Sequence, residues 1–335
     1  MKLLILGGTI FVGRHLVAEA LKRGHEVTLF NRGKHNPDLF PDVERIVGDR
    51  KNVDDLAKLK GRSWDAVIDT CGYLPGDVEQ SAAALQAGVS VYCFISSISV
   101  YADWTQLEIT EEAPVATLTD PTVQEVTGET YGGLKALCEA AAEAAFPGKA
   151  LNIRPGLIVG PDDISYRFSY WPHRIAQGGE VLAPGDPETP QQFIDVRDLV
   201  EWTLDLLEAG KTGIYNGTGP DYLLTMGKVL ETCVQESGSD ATLTWVSEEF
   251  LVEKEVQPWL ELPLWIPASN NEPGHSAVSV AKSVASGLTF RPLAETVRAT
   301  LEWDCALPPN EGYPRTLKPE KEQAILAAWN SRERE

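Results

Sequence analysis

A continuous apolar run that ends in glycine opens the chain: Lys2-Leu3-Leu4-Ile5-Leu6-Gly7-Gly8-Thr9-Ile10-Phe11-Val12-Gly13. Four consecutive apolar side chains, residues 3–6, suit a strand covered on both faces, as in a parallel sheet. Gly7, Gly8 and Gly13 then permit a tight turn and let backbone N–H groups approach a pyrophosphate at a helix N-terminus. A glycine turn alone is weak evidence. Here it stands between a clean strand and an amphipathic helix over 13–23, with Gly24 where a helix stops, and it predicts a dinucleotide site.

The same alternation continues. Segments 26–30, 43–47, 65–70 and 89–96 read as four further strands, most of them separated by helices, and Ile153 closes a sixth. Repeated βα units of this length predict an α/β fold with a doubly wound parallel sheet, the Rossmann arrangement, over residues 1–155. After Pro155 the texture turns to Pro, Gly and aromatics, which predicts a smaller C-terminal substrate-binding cap over 156–335, with 192–216 returning to the sheet. Helices are expected at 225–237, 277–286, 293–303 and 318–332, and both lobes are expected to share one hydrophobic assembly.

Charge and cysteine usage narrow the function. The 335 residues carry 49 acidic and 29 basic side chains, a formal net charge of -20, which repels nucleic-acid backbones and anionic membranes. The five cysteines form no CxxC pair and read as reduced, mostly buried thiols. The histidines show no metal-ligand spacing. With a strand at the start, no leader segment is expected, no run reaches transmembrane length, and a cytoplasmic protein is the expectation.

Two constellations carry chemistry. After the second strand come Asn31, Arg32 and Lys34, with no acid to take a ribose 2′-hydroxyl; arginine there accommodates a 2′-phosphate, so NADP(H) is favoured and NAD(H) is the alternative. Asp49, followed by Arg50, is placed for the adenine amino group, and Thr70, Cys71 and Gly72 end the fourth strand near the ribose. Tyr131 and Lys135 lie one helical turn apart, with Ser97 at the end of the fifth strand. A neighbouring ammonium and an oxidised nicotinamide both favour the phenolate, so Tyr131 is expected to transfer a proton with a pKa drawn towards neutrality, while Ser97 holds the substrate oxygen. Gly132 and Gly133 weaken this helix, which fits close approach of a cofactor or partner helix, or else local irregularity.

These residues resemble the extended, or atypical extended, short-chain dehydrogenases/reductases, the superfamily of NAD-dependent epimerases and dehydratases, over roughly residues 1–305. The resemblance rests on 7–13, on Phe94-Ile95-Ser96-Ser97-Ile98-Ser99-Val100-Tyr101, on Tyr131 to Lys135, on Arg154-Pro155-Gly156 and on 192–198. It implies Tyr131 as acid/base, Lys135 on the nicotinamide ribose and Ser97 as orienter, with Thr9, Ile10, Phe11, Val12, Pro155, Gly156 and Leu157 also at the cofactor. It also implies a homodimer through the Tyr131 helix and the helix after the fourth strand, where Ala136, Ala140, Ala141, Ala142, Ala144 and Ala145 permit close approach.

Departures shape the expectation further. Ile10 stands where the family pattern has Gly, as in the atypical group of chloroplast RNA-binding proteins and isoflavone-reductase-like chains. Ile98-Ser99 replace the Asp-Glu of sugar-nucleotide dehydratases, and Leu157 and Gln191 replace an Asn and an Arg that contact the nucleotide diphosphate in epimerases. Substrate candidates are Tyr73, Ser99, Tyr166, Arg167, Tyr170, Arg174 and Trp265; Phe168 and Trp171 are expected in the cap's own core, and Trp259 is a further candidate. The first reading is an NAD(P)-dependent oxidoreductase acting on a carbinol or carbonyl carbon of a small sugar-like or aromatic molecule. An epimerase that retains its NAD and a non-enzymatic nucleic-acid-binding or regulatory protein are the rivals.

Overall fold

The computed structural model describes residues 1–307 and 316–332. The elements run β1 (Lys2–Leu6), α1 (Phe11–Lys22), β2 (Glu26–Asn31), β3 (Glu44–Val47), α2 (Val53–Ala57), β4 (Trp64–Asp69), α3 (Pro75–Leu85), β5 (Val89–Ile95), α4 (Tyr131–Ala145) and β6 (Ala150–Pro155). There follow β7 (Ile158–Val159), α5 (Tyr170–Ala176), β8 (Glu180–Pro184), β9 (Pro190–Gln191), β10 (Ile194–Asp195), α6 (Val196–Glu208), β11 (Gly213–Gly217), β12 (Leu224–Thr225) and α7 (Met226–Ser237). The described chain closes with β13 (Thr242–Val246), α8 (Glu248–Glu253), α9 (Ala281–Ala285), α10 (Leu293–Ala306) and α11 (Pro319–Arg332).

Seven parallel strands form the central sheet in the order β11-β6-β5-β4-β1-β2-β3. Leu3 to Leu6 are wholly or almost wholly buried, as a strand covered on both faces requires. The order reverses between β1 and β4, and the crevice at such a reversal is where open α/β sheets take ligands. Helix α1 begins at Phe11, ahead of the expected start, because Gly13 must tuck under the turn: a Cβ there would lie 2.8 Å from the Gly8 nitrogen.

Three expectations are corrected. The segment after 190 does not re-enter the central sheet directly: Ile194–Asp195 pairs with β7, and β11 supplies the seventh strand beside β6. Of 277–286, only Ala281–Ala285 is α-helical. Val278 and Val280 are buried in alternation; Val278 exchanges two backbone hydrogen bonds of 3.0 Å with the Gln192 amide, so period two wins over helix. The apolar core is also divided. One cluster, containing Phe168, Trp171, Val181, Leu230, Phe250 and Trp265, closes inside the cap, and separate clusters flank the two faces of the central sheet.

Ion pairs fasten the parts. Asp195 caps α6 and accepts from Arg197 and from Thr296 of α10, while Asp198 accepts from Arg291 at 2.6 Å. Among the described residues no helix is long and apolar enough to cross a membrane, and no group of His, Cys, Asp and Glu could hold a metal ion. All five cysteines are free thiols; Cys93, Cys138 and Cys233 are buried.

Candidate active site

A cleft of about 800 Å³ opens where the sheet order reverses, lined by Gly7 to Gly13, Asn31 to His35, Gly48 to Lys51, Thr70, Cys71, Tyr73 and Asp163 to Ser165, among others. Its floor is made of glycines at which any side chain would be strained. Gly7 and Gly8 adopt φ of +105° and +92°, and an added Cβ would lie 2.5 Å from Thr70 Oγ1 and 2.6 Å from Leu29 Cδ2 respectively. Such a bare-backbone cradle at the start of α1 fits a dinucleotide pyrophosphate. Ile10 does not block it: its backbone is extended (φ −131°), a conformation open to any residue, and its side chain is 39% exposed on the wall.

At the β2 end of the cleft the Asn31 amide is spent locally, donating to Gly7 O at 2.7 Å and accepting from Gly33 N at 2.9 Å. Arg32 and Lys34 line the cleft on its exposed side. Neither has an ion-pair or hydrogen-bond partner among the described residues. Asp49 accepts from Lys51 N at 3.0 Å and also lines the cleft. Arg50 also lines the cleft, but it is buried and its charge is matched: it pairs with Asp69 through two bonds of 2.7 Å and donates to Ser81 and to Asp77 O. Asp69 also accepts from Tyr92 at 2.8 Å, and Arg50 holds its carboxyl below the usual range although burial pushes the other way. Thr70 Oγ1 donates to Leu6 O, burial pushes the Cys71 thiol up to about 11, and Gly72 O accepts from Lys135.

Ser97, Tyr131 and Lys135 lie beside the cleft, beyond Tyr73, whose ring both lines it and stands 5.5 Å from Lys135 Nζ. Ser97 caps the short turn Ile98–Val100, accepting from Ser99 N and hydrogen-bonding Ser99 Oγ at 3.0 Å, and it acts on the nearby Tyr131 hydroxyl. Lys135 is almost completely buried; it donates to Gly72 O at 2.9 Å and Ile95 O at 2.7 Å and sits over the Phe94 ring, and burial depresses it to about 8. Tyr131 is raised above its ordinary value, not lowered as the sequence suggested. Burial is the largest cause, and the nearby Ser97 hydroxyl and Arg167 only partly offset it.

The paired glycines of α4 have a third explanation. A Cβ on Gly132 would sit 2.1 Å from Ser99 O, and one on Gly133 2.6 Å from Leu118. The close neighbour is neither cofactor nor partner but the chain's own turn, which locks Ser97, Ser99 and Tyr131 into one piece. Pro155, Gly156 and Leu157 do not line the cleft: a Cβ on Gly156 would lie 2.2 Å from Thr218 Oγ1, and Leu157 O accepts from Ile194 N.

The cap candidates separate sharply. Arg167 is exposed, lies over the Trp259 ring at 5.9 Å and acts electrostatically on Tyr131. Every other described arginine except Arg32 donates to a carboxylate or carbonyl oxygen or, in the case of Arg332, pairs with a carboxylate. Tyr170, Arg174 and Trp265 are corrected: Tyr170 and Trp265 are 4% and 3% exposed in the cap core, and Arg174 pairs with Glu322 at 2.7 Å. Tyr166 is half-buried, stacked on Trp303. Phe168 and Trp171 are wholly buried in that core. Sequence reasoning missed Asp162, which holds Arg14 at 2.6 Å and His15 at 3.2 Å, and the buried Arg154–Glu139 pair that ties β6 to α4. The Pro161-Asp162-Asp163 run looks like any turn, and only its contacts distinguish it.

Comparisons with known proteins agree with this geometry. The "Chloroplast stem-loop binding protein of 41 kDa b" of Arabidopsis thaliana is 29% identical over 256 residues, 71% of this chain and 63% of that protein. A UDP-glucose 4-epimerase of Neisseria meningitidis is 27% identical over 165 residues, 41% of this chain and 46% of that protein. The chain thus spans less than two thirds of the length of these curated relatives. Among solved structures, the UDP-Glc/GlcNAc 4-epimerase of Campylobacter jejuni superposes with a TM-score of 0.69 at 17% identity, covering 91% of this chain and 99% of that one. The UDP-glucuronic acid 4-epimerase of Bacillus cereus in complex with NAD gives 0.66 at 16% identity, over 90% and 96%. Both show a shared fold. Residues 3–217 match the family model itself, and the chain belongs to the NAD dependent epimerase/dehydratase family.

Proposed function

We propose that this protein is an NAD(P)-dependent oxidoreductase in which Tyr131 transfers a proton to or from a carbinol or carbonyl oxygen of a small sugar-like or aromatic substrate. When bound, the dinucleotide supplies and receives the hydride. The observation that carries the reading is the close seating of the Tyr131 end of α4 on the turn that Ser97 caps, with a buried lysine one helical turn away, beside a glycine-floored cleft. Ser97 orients the substrate oxygen. Lys135 already satisfies the carbonyl that ends β5 and one in the loop after β4, and offers its remaining donor to the ribose. The cationic nicotinamide then favours the phenolate and offsets the burial that raises Tyr131 in the free protein.

The unpaired Arg32 supports NADP(H), because a spent Asn31 leaves no acceptor for a 2′-hydroxyl and a free guanidinium suits a 2′-phosphate. Parallel fluorescence titrations with NADPH and NADH test this; equal affinities would remove the preference, and binding of neither would remove the enzyme reading. The Ala140 and Ala144 side chains remain exposed on α4 and support a homodimer through that helix.

A second reading, an epimerase that retains its dinucleotide, is favoured by the relatives that carry that name. It uses the same residues and predicts cofactor released only on denaturation. The buried Gln191, 6% exposed, weakens it for a nucleotide-diphosphate sugar. A nucleic-acid role, suggested by the name of the stem-loop-binding relative, meets a net charge of -20, and the cation Arg50 is already spent on Asp69. Salt-dependent retention of RNA on filters would revive it.

A further inference from the structure

The loop after β7 carries an acid that neither the fold nor the proton chemistry uses. Asp163 is 2% exposed and lines the cleft. Its Oδ1 accepts from Ser165 N at 2.9 Å; its Oδ2 is buried with no hydrogen-bond partner. An acceptor left so is costly, and a native structure retains one where something else supplies the donor. The other acids on the cleft wall are engaged: Asp49 accepts from Lys51 N, and Asp77 pairs with Lys51 at 3.7 Å.

Its position is fixed from two sides. The preceding residue, Asp162, is held by Arg14 and His15 in the first turns of α1, so Asp163 stands next to the glycine turn. Arg167 acts electrostatically on both Asp163 and Tyr131. Asp163 therefore stands on the cleft wall near the glycine turn, within the field of the same Arg167 that acts on Tyr131, and on the dinucleotide reading this is the side that takes the nicotinamide half. A pyrophosphate has no donor for Oδ2. The nicotinamide half has a carboxamide amino group and ribose hydroxyls. We propose that Asp163 Oδ2 accepts a hydrogen bond from the nicotinamide half of the dinucleotide and positions it against Tyr131. The inference rests on the dinucleotide reading of the cleft.

Asp163→Asn tests it, because the amide keeps Oδ1 for Ser165 and places a donor where the acceptor was. Binding of NADP+, NAD+ and ADP is measured by tryptophan fluorescence, with thermal melts alongside. The expected result is about a tenfold or larger loss of affinity for NADP+ and NAD+, an unchanged affinity for ADP and an unchanged melting temperature. Equal losses for dinucleotide and ADP, or no loss at all, would overturn the proposal.

If the variant does not fold, the wild-type protein serves. Burial raises the Asp163 carboxyl, with Arg167 the charged group that opposes it. Asp162, Arg14 and His15 adjoin the pyrophosphate turn and act on ADP and NAD+ alike. NAD+ affinity is expected to fall relative to ADP affinity from neutral pH into the acid range, as the acceptor is protonated; a constant ratio would overturn the proposal. Wild-type protein that binds neither dinucleotide would overturn the cleft reading itself, whereas tight wild-type binding matched by the Asn variant overturns only the role of Asp163.

Discussion

The cleft and the cap handle polarity in opposite ways. Around the cleft, Arg32 and Lys34 face the opening and Asp163 Oδ2 is buried in its wall, each without a hydrogen-bond partner among the described residues, over a floor stripped of side chains. Inside the cap, Arg174 is closed by Glu322, Trp171 donates to Pro263 O at 2.8 Å, and aromatics pack on one another. Charge left open marks the surface that receives something. Charge and aromatic area already matched mark architecture, however suggestive the residue type.

The comparison is broken most directly at Tyr131. Tyr131→Phe should lower turnover by about 10²- to 10⁴-fold, the usual worth of a placed acid/base, with dinucleotide affinity retained. Wild-type-like turnover in a stopped-flow assay would sink the mechanism. In the cap, Trp171→Ala should lower unfolding free energy by about 3–5 kcal/mol in a urea titration, since it empties a wholly buried site and orphans Pro263 O. A variant of unchanged stability but raised KM would move that tryptophan from architecture to recognition.

Lys135 sharpens the boundary between the regions, because it belongs to both. Its folded pKa of about 8 lies below the unfolded value near 10.5, so the unfolded chain binds more protons between them. Stability should therefore rise as pH climbs through that window, by on the order of 3 kcal/mol, and Lys135→Met should flatten the rise. Parallel rises in both proteins, read from urea melts, would assign the dependence elsewhere. The smallest effect is expected at Arg32. Its replacement by Ala should weaken NADPH binding about tenfold and leave NADH unaffected, a difference readable by titration.

Local encoding explains what was legible beforehand. The run 2–13 dictates its own conformation: apolar on both faces, then residues that tolerate positive φ, so strand, turn and cleft floor follow from neighbours in sequence. Ser97, Tyr131 and Lys135 are set by strand end and helical spacing and are likewise readable. The fates of Tyr170, Arg174 and Trp265 depended on partners far along the chain, such as Glu322, which no spacing reveals. Gly133 looked like a dimer or cofactor contact until Leu118, from a loop without periodicity, filled the space. Asp163 was invisible because its meaning lies in an atom without a partner.

Asp162 has a kinetic consequence. Its carboxylate ties the first turns of α1 to the loop that leads into the cap, so one strap serves both the glycine turn and the cap's entry loop. Whatever settles on the glycine floor also steadies that strap. Turnover should accordingly follow a compulsory order, with dinucleotide entering first and leaving last, and loosening the strap should make the order random.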